Sequence, residues 1–442
     1  MAKIHDKDWR YSCLKLYVDF MFKSAYRRVE FRGKEKIPQD GAIIYAPNHT
    51  NTLMDPLAVL AFDKSPKVFV ARADIFKQPA ILKFLTFLKM LPINRKRDGI
   101  SNLAKNEEIN NIAVDVLKDK VPFCILPEGM HRAMHSLMLL QKGIFRIALQ
   151  ANETFGSETP VYIIPVGIEY GHFFRYRSSL LVQLGEPINV TQFINDRPEL
   201  NVLQLQIRAL RKELSERIKK VILHIPDDAN YNATLTLSQL FGNERPRRFG
   251  SRKNSLIGRF TDAKSIITDV ADLLQSNLQE TQELLDSANV FSERRHQLGI
   301  GMKSVLKSHL RLSLFGEIIL LILGFPYFIF SAIVTSPVTV LFKWISAKIE
   351  DHAFYNSLRY LLALALLPVL LLLFSILITI VFPWKWGLVF ALLFIPAFFF
   401  FYDYLRLTRC AISDIKWLTN SHLHDYIEVI KNTFVKLKFR IQ

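Results

Sequence analysis

Cysteine is scarce in this chain: only Cys13, Cys124 and Cys410 occur among 442 residues. They lie far apart in sequence, so they form none of the closely spaced sets that bind zinc. Low cysteine use is also typical of proteins from a reducing compartment. Residues 1–6 lack the apolar core of a secretory signal peptide. The sequence therefore predicts no metal site and a reducing location.

Two common catalytic motifs are missing as well. No Gly-x-Ser-x-Gly elbow is present, which argues against a serine hydrolase of the membrane surface. The only Gly-Lys pair, Gly33-Lys34, is followed by Glu35, so no phosphate loop ends in Gly-Lys-Ser/Thr. A nucleotide-driven enzyme of that type is therefore not indicated.

Acidic residues are few relative to basic ones: 40 against 57, for a net charge of +17. Such a balance suits anionic lipid surfaces, phosphorylated substrates and nucleic acid. The chain contains no recognisable nucleic-acid-binding motif, and its long apolar runs favour a membrane. We therefore expect lipid contacts and no nucleic-acid partner.

Charge is absent from two long apolar runs, Ile318–Phe342 and Tyr360–Phe382. Each is long enough to cross a ~30 Å hydrocarbon layer, and Trp386–Tyr402 forms a shorter third run. Transport usually needs ionisable groups within spans, so these runs do not favour a transporter. A non-enzymatic membrane scaffold remains an alternative.

The positive residues around the runs predict the membrane topology. Basic residues cluster before the first run, between the first and second runs, and after the third. By the positive-inside bias, each of these three segments is predicted to be cytoplasmic. This pattern predicts two spans, at 360–382 and 386–405. The run at 318–342, interrupted by Pro326 and Pro337, is then re-entrant or in-plane. Three spans with an external tail is the alternative.

A polar stretch that contains His49 and Asp55 carries the strongest chemical signal. Residues 41–46 before it form a predicted buried strand, and the residues from Pro56 onward form a predicted helix. A neutral His held by a carboxylate can take a proton from a hydroxyl near neutral pH, as acyl transfer to an alcohol requires. Six residues apart, the two side chains would lie about 240° apart on a helix. They can meet only if His49 lies in the loop and Asp55 caps the helix. In the alternative interpretation, Asp55 is only that cap.

Three further blocks accompany this stretch: Leu91–Arg95, Cys124–Gly129 and Ile163–Gly167. Together with it they resemble the glycerophospholipid acyltransferase family over residues 36–190. Five residues rather than four separate His49 from Asp55, and Met130-His131-Arg132 replaces the usual Thr-Arg. Both departures resemble the yeast branch that acylates glycerol-3-phosphate or dihydroxyacetone phosphate.

The resemblance implies an α/β acyltransferase domain, with a mixed sheet flanked by helices. It implies transfer of an acyl group from acyl-CoA or acyl-carrier protein, without a further cofactor, to glycerol-3-phosphate or 1-acylglycerol-3-phosphate. Another lysolipid or an aminolipid is the alternative acceptor. His49 is the expected general base, and Asp55 would hold its tautomer. The expected substrate-binding residues are Asn48, Arg95, Glu128, Gly129, Arg132 and Lys142. Arg95 would bind the acceptor phosphate, because its planar guanidinium can donate two parallel hydrogen bonds.

The predicted organisation has five parts. They are an amphipathic interfacial helix (1–35, helical over 9–31), the acyltransferase domain (36–225), a helical linker region (226–312), a membrane region (313–405) and a cytoplasmic tail (406–442). Within the second part the predicted strands are 42–46, 67–71, 121–126, 161–166 and 180–184. An apolar helix near 74–90 is expected either to line an acyl-chain channel or to belong to the core. The whole is predicted to be an integral membrane protein with a cytoplasmic catalytic domain, in a bacterial inner membrane or the endoplasmic reticulum.

Overall fold

A computed structural model describes residues 3–94, 105–156, 158–242 and 255–439. The chain divides into two compact units. The first contains Met1–Ile222 together with Lys348–Leu364, and the second contains Leu223–Ala347 together with Ala365–Gln442.

The first unit is built around one mixed sheet of eight strands. The strands are β1 (Tyr26–Arg32), β2 (Ala42–Pro47), β3 (Val68–Arg72), β4 (Met90–Ile93), β5 (Phe123–Cys124), β6 (Val161–Tyr170), β7 (Ser178–Leu184) and β8 (Ile188–Asn189). Their order is β1-β7-β6-β2-β5-β3-β4, with β8 beside β6. The pairs are parallel except β6 with β7 and β6 with β8. The predicted mixed α/β sheet is thus confirmed.

Helices flank this sheet. They are α1 (Trp9–Ser24), α2 (Met54–Leu60), α3 (Pro79–Phe87), α4 (Lys105–Lys118), α5 (Gly143–Phe155), α6 (Val190–Asn195) and α7 (Leu203–Val221), with short 3₁₀ turns at Lys34–Lys36 and Ala73–Phe76. Strand side chains alternate between faces. Ala42, Ile44 and Ala46 of β2 therefore pack with buried residues of α4, α5 and α7 in one core. Tyr45 faces the other way, where the ammonium of buried Lys67 lies 5.7 Å from its ring.

All five predicted strands overlap observed ones, but β1, β4 and β8 were missed. The helix predicted over 9–31 was wrong beyond residue 24, because Tyr26–Arg32 pairs in parallel with β7. This edge strand carries three arginines and a glutamate, so its composition resembles that of a polar helix face. Likewise the helix predicted over 74–90 ends at Phe87, and the chain then enters β4.

The faces of α1 and α3 also differ from expectation. Charged side chains of α1 are partly buried: Lys15 pairs with Asp19 at 2.6 Å and also donates to backbone carbonyls. Trp9 and Phe20 instead point outward, at 76% and 57% exposure. Helix α3 buries none of its side chains, so the core alternative for it was wrong. Both helices present apolar surface outward, as an interfacial element would.

The second unit is helical. It contains α8 (Tyr231–Phe241), α9 (Leu256–Ser276), α10 (Leu278–Gln297), α11 (Met302–Val305), α12 (Leu310–Ser346), most of α13 (Phe354–Val381), α14 (Trp384–Thr419) and α15 (His422–Phe439). Asn277 separates α9 from α10 and caps the latter through its side chain. Residues of α8, α9, α10 and α15 share one apolar core. The described residues of the predicted tail, 406–439, therefore belong largely to the end of α14 and to α15, which packs in this core.

Three helices, α12, α13 and α14, are long and apolar enough to cross a membrane. Helix α12 continues through Pro326 and Pro337. It packs antiparallel to α14: the Phe328 and Tyr404 rings stack at 4.1 Å, and Phe330 meets Phe390 at 5.8 Å. Helix α12 is thus uninterrupted and packs lengthwise on α14, while its predicted re-entrant or in-plane placement stays a prediction.

The chain just before α12 contacts the last turns of α14. The Ser304 and Ser413 hydroxyls are 2.6 Å apart, and Lys307 forms an ion pair with Asp414. The two ends of the segment between residues 307 and 413 are therefore in contact with each other. Such a path does not fit three simple spans that leave the tail on the opposite side.

Candidate active site

The site lies at one edge of the sheet. Strands β2, β5 and β6 run parallel, so their carboxyl ends meet at the same edge. His49 follows β2, Glu128 follows β5, and Tyr170 ends β6. Clefts at the carboxyl ends of such strands are where α/β proteins usually bind their ligands.

His49 and Asp55 meet directly. Nδ1 of His49 is 2.8 Å from Oδ2 of Asp55, and the Asp55 side chain is fully buried while that of His49 is 17% exposed. A carboxylate only accepts hydrogen bonds, which assigns the imidazole proton to Nδ1. Nε2 is then the nitrogen that can take a proton from a substrate.

Asp55 is not the cap of α2. That helix begins at Met54 with Leu53 as N-cap, so Asp55 is its second residue and Pro56 its third, not its first. The carboxylate instead reaches back along the chain. Oδ2 accepts hydrogen bonds from the backbone N–H groups of Thr50 and Asn51, at 2.8 and 2.7 Å. Asp55 therefore shapes the His49 loop (residues 48–55) and orients the imidazole at the same time.

Tyr170 completes the surroundings of this carboxylate. Its hydroxyl donates to Oδ1 of Asp55 at 2.7 Å, and the tyrosine is 4% exposed. Four donors thus serve one buried carboxylate: three converge on Oδ2, and Tyr170 donates to Oδ1. Burial, followed by the nearby Asp55 charge, raises the pKa of the Tyr170 hydroxyl well above its usual value, so it remains a donor.

Glu128 ties two loops together. Its Oε1 accepts the His49 N–H at 2.6 Å, and its Oε2 accepts the Met138 N–H at 2.9 Å. The resemblance implies that Glu128 holds a glycerol hydroxyl. Each carboxylate oxygen keeps a second lone pair for such a contact. In the structure the contacts of Glu128 fix the backbone that carries His49.

Glu128 also gives a pH-dependent prediction. Burial raises its pKa to about 7, although the backbone N–H groups of Met138 and His49 lower it. A raised pKa means that Glu128 binds its proton more tightly in the folded state than in the unfolded state. The stabilisation of the fold by this proton is complete below about pH 4.5 and declines up to about pH 7. Over that window the free energy of unfolding should fall by about 3 kcal/mol from this group. Melting curves at pH 5 to 8 should show this slope in the wild type. A slope that is equally steep in Glu128→Gln would contradict the assignment.

Asn48 and Gly129 have conformational roles in the structure. The Asn48 side chain exchanges two hydrogen bonds with the backbone of Ile168 in β6, at 2.7 and 3.2 Å. Gly129 has φ +69°, and an added Cβ would lie 3.0 Å from Gln141. Left-handed backbone at that position favours glycine.

The predicted cationic residues fall into three cases. The Arg132 backbone N–H donates to the His49 carbonyl at 3.1 Å, which places Arg132 beside the site. Lys142 is exposed and lies 3.5 Å from Gln204 through its ammonium group. Arg95 lies outside the described residues; β4, which precedes it, ends at Ile93.

Sequence reasoning missed two site residues, Tyr170 and His131. The His131 ring lies 5.5 Å from the His49 ring, edge to face. The available signal was position: His131 stands in the Met130-His131-Arg132 stretch that follows Gly129, and Tyr170 lies three residues after the Ile163–Gly167 block. Among the described residues, no three His, Cys, Asp or Glu side chains come together as a metal site would require.

Comparison with known proteins gives one family match. Residues 28–169 match the family model described as Acyltransferase. No curated protein matches the chain. A solved structure, the 1-acyl-sn-glycerophosphate (LPA) acyltransferase PlsC from Thermotoga maritima, aligns at 20% identity over 48% of this chain and 78% of that one, with a TM-score of 0.35. The part of this chain that contains the His49 loop, Glu128 and most of β6 is thus similar to the acyltransferase family.

Proposed function

We propose that this chain transfers a fatty acyl group from a thioester to the hydroxyl of glycerol-3-phosphate or 1-acylglycerol-3-phosphate. The observation that carries the proposal is the 2.8 Å contact between His49 and Asp55 at the carboxyl edge of the sheet. The match of residues 28–169 to the acyltransferase family supports it.

The proposed reaction is a direct transfer. Nε2 of His49 takes the acceptor proton while the acceptor oxygen attacks the thioester carbonyl carbon. The carbon–sulfur bond then breaks, and the departing thiolate takes the proton from His49. Asp55 stabilises the imidazolium that exists between these two proton transfers. No acyl-enzyme is needed, because the acceptor hydroxyl is itself the nucleophile.

A phosphorylated acceptor suits the charges near this edge. Arg132 is anchored beside His49 through its backbone. Arg95 follows β4 by two residues, and Lys142 lies at the start of α5. We propose that these three cations bind the acceptor phosphate, which would give both binding energy and orientation.

Arg95→Ala tests the phosphate contact. Loss of a bidentate charged hydrogen bond should cost about 2–3 kcal/mol, so the KM for a phosphorylated acceptor should rise about 30- to 150-fold. The KM for the thioester should change little. Arg95→Lys should be intermediate, because lysine keeps the charge but not the planar fork. An unchanged acceptor KM in Arg95→Ala would remove this residue from the acceptor site.

The acceptor class is tested with the purified full chain in detergent. Glycerol-3-phosphate, 1-acylglycerol-3-phosphate, a lysophosphatidylcholine and a lyso-aminolipid are each supplied with acyl-CoA and, separately, with acyl-carrier protein. Ester formation on one or both glycerol phosphates supports the proposal. Ester or amide formation only on the other two acceptors would replace the acceptor class.

We further propose that the chain is embedded in a membrane through its apolar helices, with the catalytic site on the cytoplasmic side. Helix α15 packs in one core with α8, α9 and α10, so the end of the chain stays with these helices. A reporter inserted within 243–254 and one fused after Gln442 should therefore lie on the same membrane side. Labelling of only one of them from outside sealed cells would contradict this arrangement.

A further inference from the structure

A segment from far along the chain lies on the His49 loop. Lys348–Leu364 belongs to the sheet-containing unit, although it follows α12 in sequence and includes the first turns of the apolar helix α13. We call residues 348–364 the clasp. Three sets of contacts join it to the residues around His49.

The first set holds Thr52. Its hydroxyl lies 2.5 Å from the Ser357 hydroxyl and 3.3 Å from the Ala353 carbonyl. Thr52 and Ser357 are 7% and 4% exposed, so water does not replace these contacts. The backbone of Thr52 has φ +40°, a left-handed conformation that β-branched residues rarely adopt. Such a conformation persists only where the surroundings hold it.

The second set holds the neighbouring Asn51. Its side-chain amide donates to the Phe173 carbonyl at 2.8 Å, and the Asn356 side chain donates to the same oxygen. The Asn51 backbone N–H in turn donates to Asp55. Asn51 and Asn356 are 0% and 3% exposed. The clasp is therefore linked through the shared Phe173 carbonyl to Asn51, whose backbone N–H donates to Asp55.

The third set lies on the other side of His49. Nε2 of His131 is 2.7 Å from Asp351, and its ring meets Phe354 edge-on at 5.3 Å. The same imidazole packs against His49. The clasp thus contacts the site through both the His49 loop and His131.

We propose that the clasp completes the active site, and that Ser357 and Asn356 are positioning residues: Ser357 holds Thr52, and Asn356 holds the Phe173 carbonyl to which Asn51 donates, so that Asp55 orients His49. This inference rests on the proposed acyl transfer and extends it. It makes activity depend on the first turns of α13 being seated on the catalytic domain. The chemistry is thereby tied to a helix with the composition of a membrane span.

The test combines turnover with backbone exchange in the full chain. Ser357→Ala removes the partner of Thr52, and Ser357→Thr keeps a hydroxyl. The control Ser331→Ala removes a buried serine hydroxyl that donates to the Tyr327 carbonyl within its own helix. In Ser357→Ala, kcat should fall about 10- to 100-fold, as loss of a buried hydrogen bond at a positioned loop allows. The acceptor KM and the melting temperature should change little. Ser357→Thr should recover most of the turnover, and Ser331→Ala should behave as wild type.

Amide hydrogen exchange gives a readout that needs no activity. The peptide covering residues 46–58 should exchange about tenfold faster in Ser357→Ala, and faster still in the double variant with Asn356→Ala. Unchanged exchange of this peptide in both variants would overturn the proposal, as would wild-type kcat in Ser357→Ala. If the wild type acylates no acceptor, the proposed function fails while the exchange measurement still decides whether the clasp orders the loop.

Discussion

His49→Ala should lower kcat by about 10²- to 10⁴-fold, because it removes the group proposed to take the acceptor proton. Thioester binding should change little. The melting temperature should also stay near that of the wild type, because Asp55 keeps its hydrogen bonds from Thr50, Asn51 and Tyr170. The measurement is the initial rate of ester formation at saturating acceptor and donor.

A matched control is His422→Ala, an exposed histidine in the helical unit. It should retain full turnover. Full activity in His49→Ala would overturn the proposed mechanism, whereas a parallel loss in both variants would point to a general defect in the protein.

The two substitutions of Asp55 should separate its chemical role from its structural one. Asparagine can place its oxygen where Oδ2 accepts from His49, Thr50 and Asn51, and can turn its amide toward the Tyr170 hydroxyl. The loop and the imidazole tautomer are then kept, and only the negative charge is lost. Loss of a charged hydrogen bond is worth about 1.5–3 kcal/mol, so Asp55→Asn should reduce kcat about 10- to 150-fold and stay folded.

Asp55→Ala should be far more damaging. It leaves the Thr50 and Asn51 N–H groups and the Tyr170 hydroxyl buried without their acceptor, at a cost of about 1–3 kcal/mol each. We expect a loss of turnover at least as large as in His49→Ala and a clear fall in melting temperature. A silent Asp55→Asn would show that the charge has no part in catalysis.

The order of the site residues along the chain was predictable, and its physical basis is local. A buried strand, a polar loop with His49 and Asp55, and a short apolar helix are written in consecutive residues. A six-residue spacing excludes a helical pairing, so the loop geometry followed from the sequence. The precise helix start did not, because Leu53 is not a typical capping residue.

The contacts that fix the loop were not predictable. Ser357 follows Thr52 by 305 positions, and no periodicity links them. Asn51 and Asn356 share one carbonyl, a relation that only the folded chain creates. Strand β1 was missed for a different reason, since its three arginines and one glutamate suit an edge strand as well as a helix surface.

One measurement tests the central claim most directly. Purified wild-type protein is given an acyl thioester, and released thiol and newly formed ester are followed together with and without glycerol-3-phosphate or 1-acylglycerol-3-phosphate. We predict thiol release that depends on the acceptor and equals ester formation one to one. Thiol release that proceeds equally without acceptor, with free fatty acid as product, would show hydrolysis and contradict direct acyl transfer.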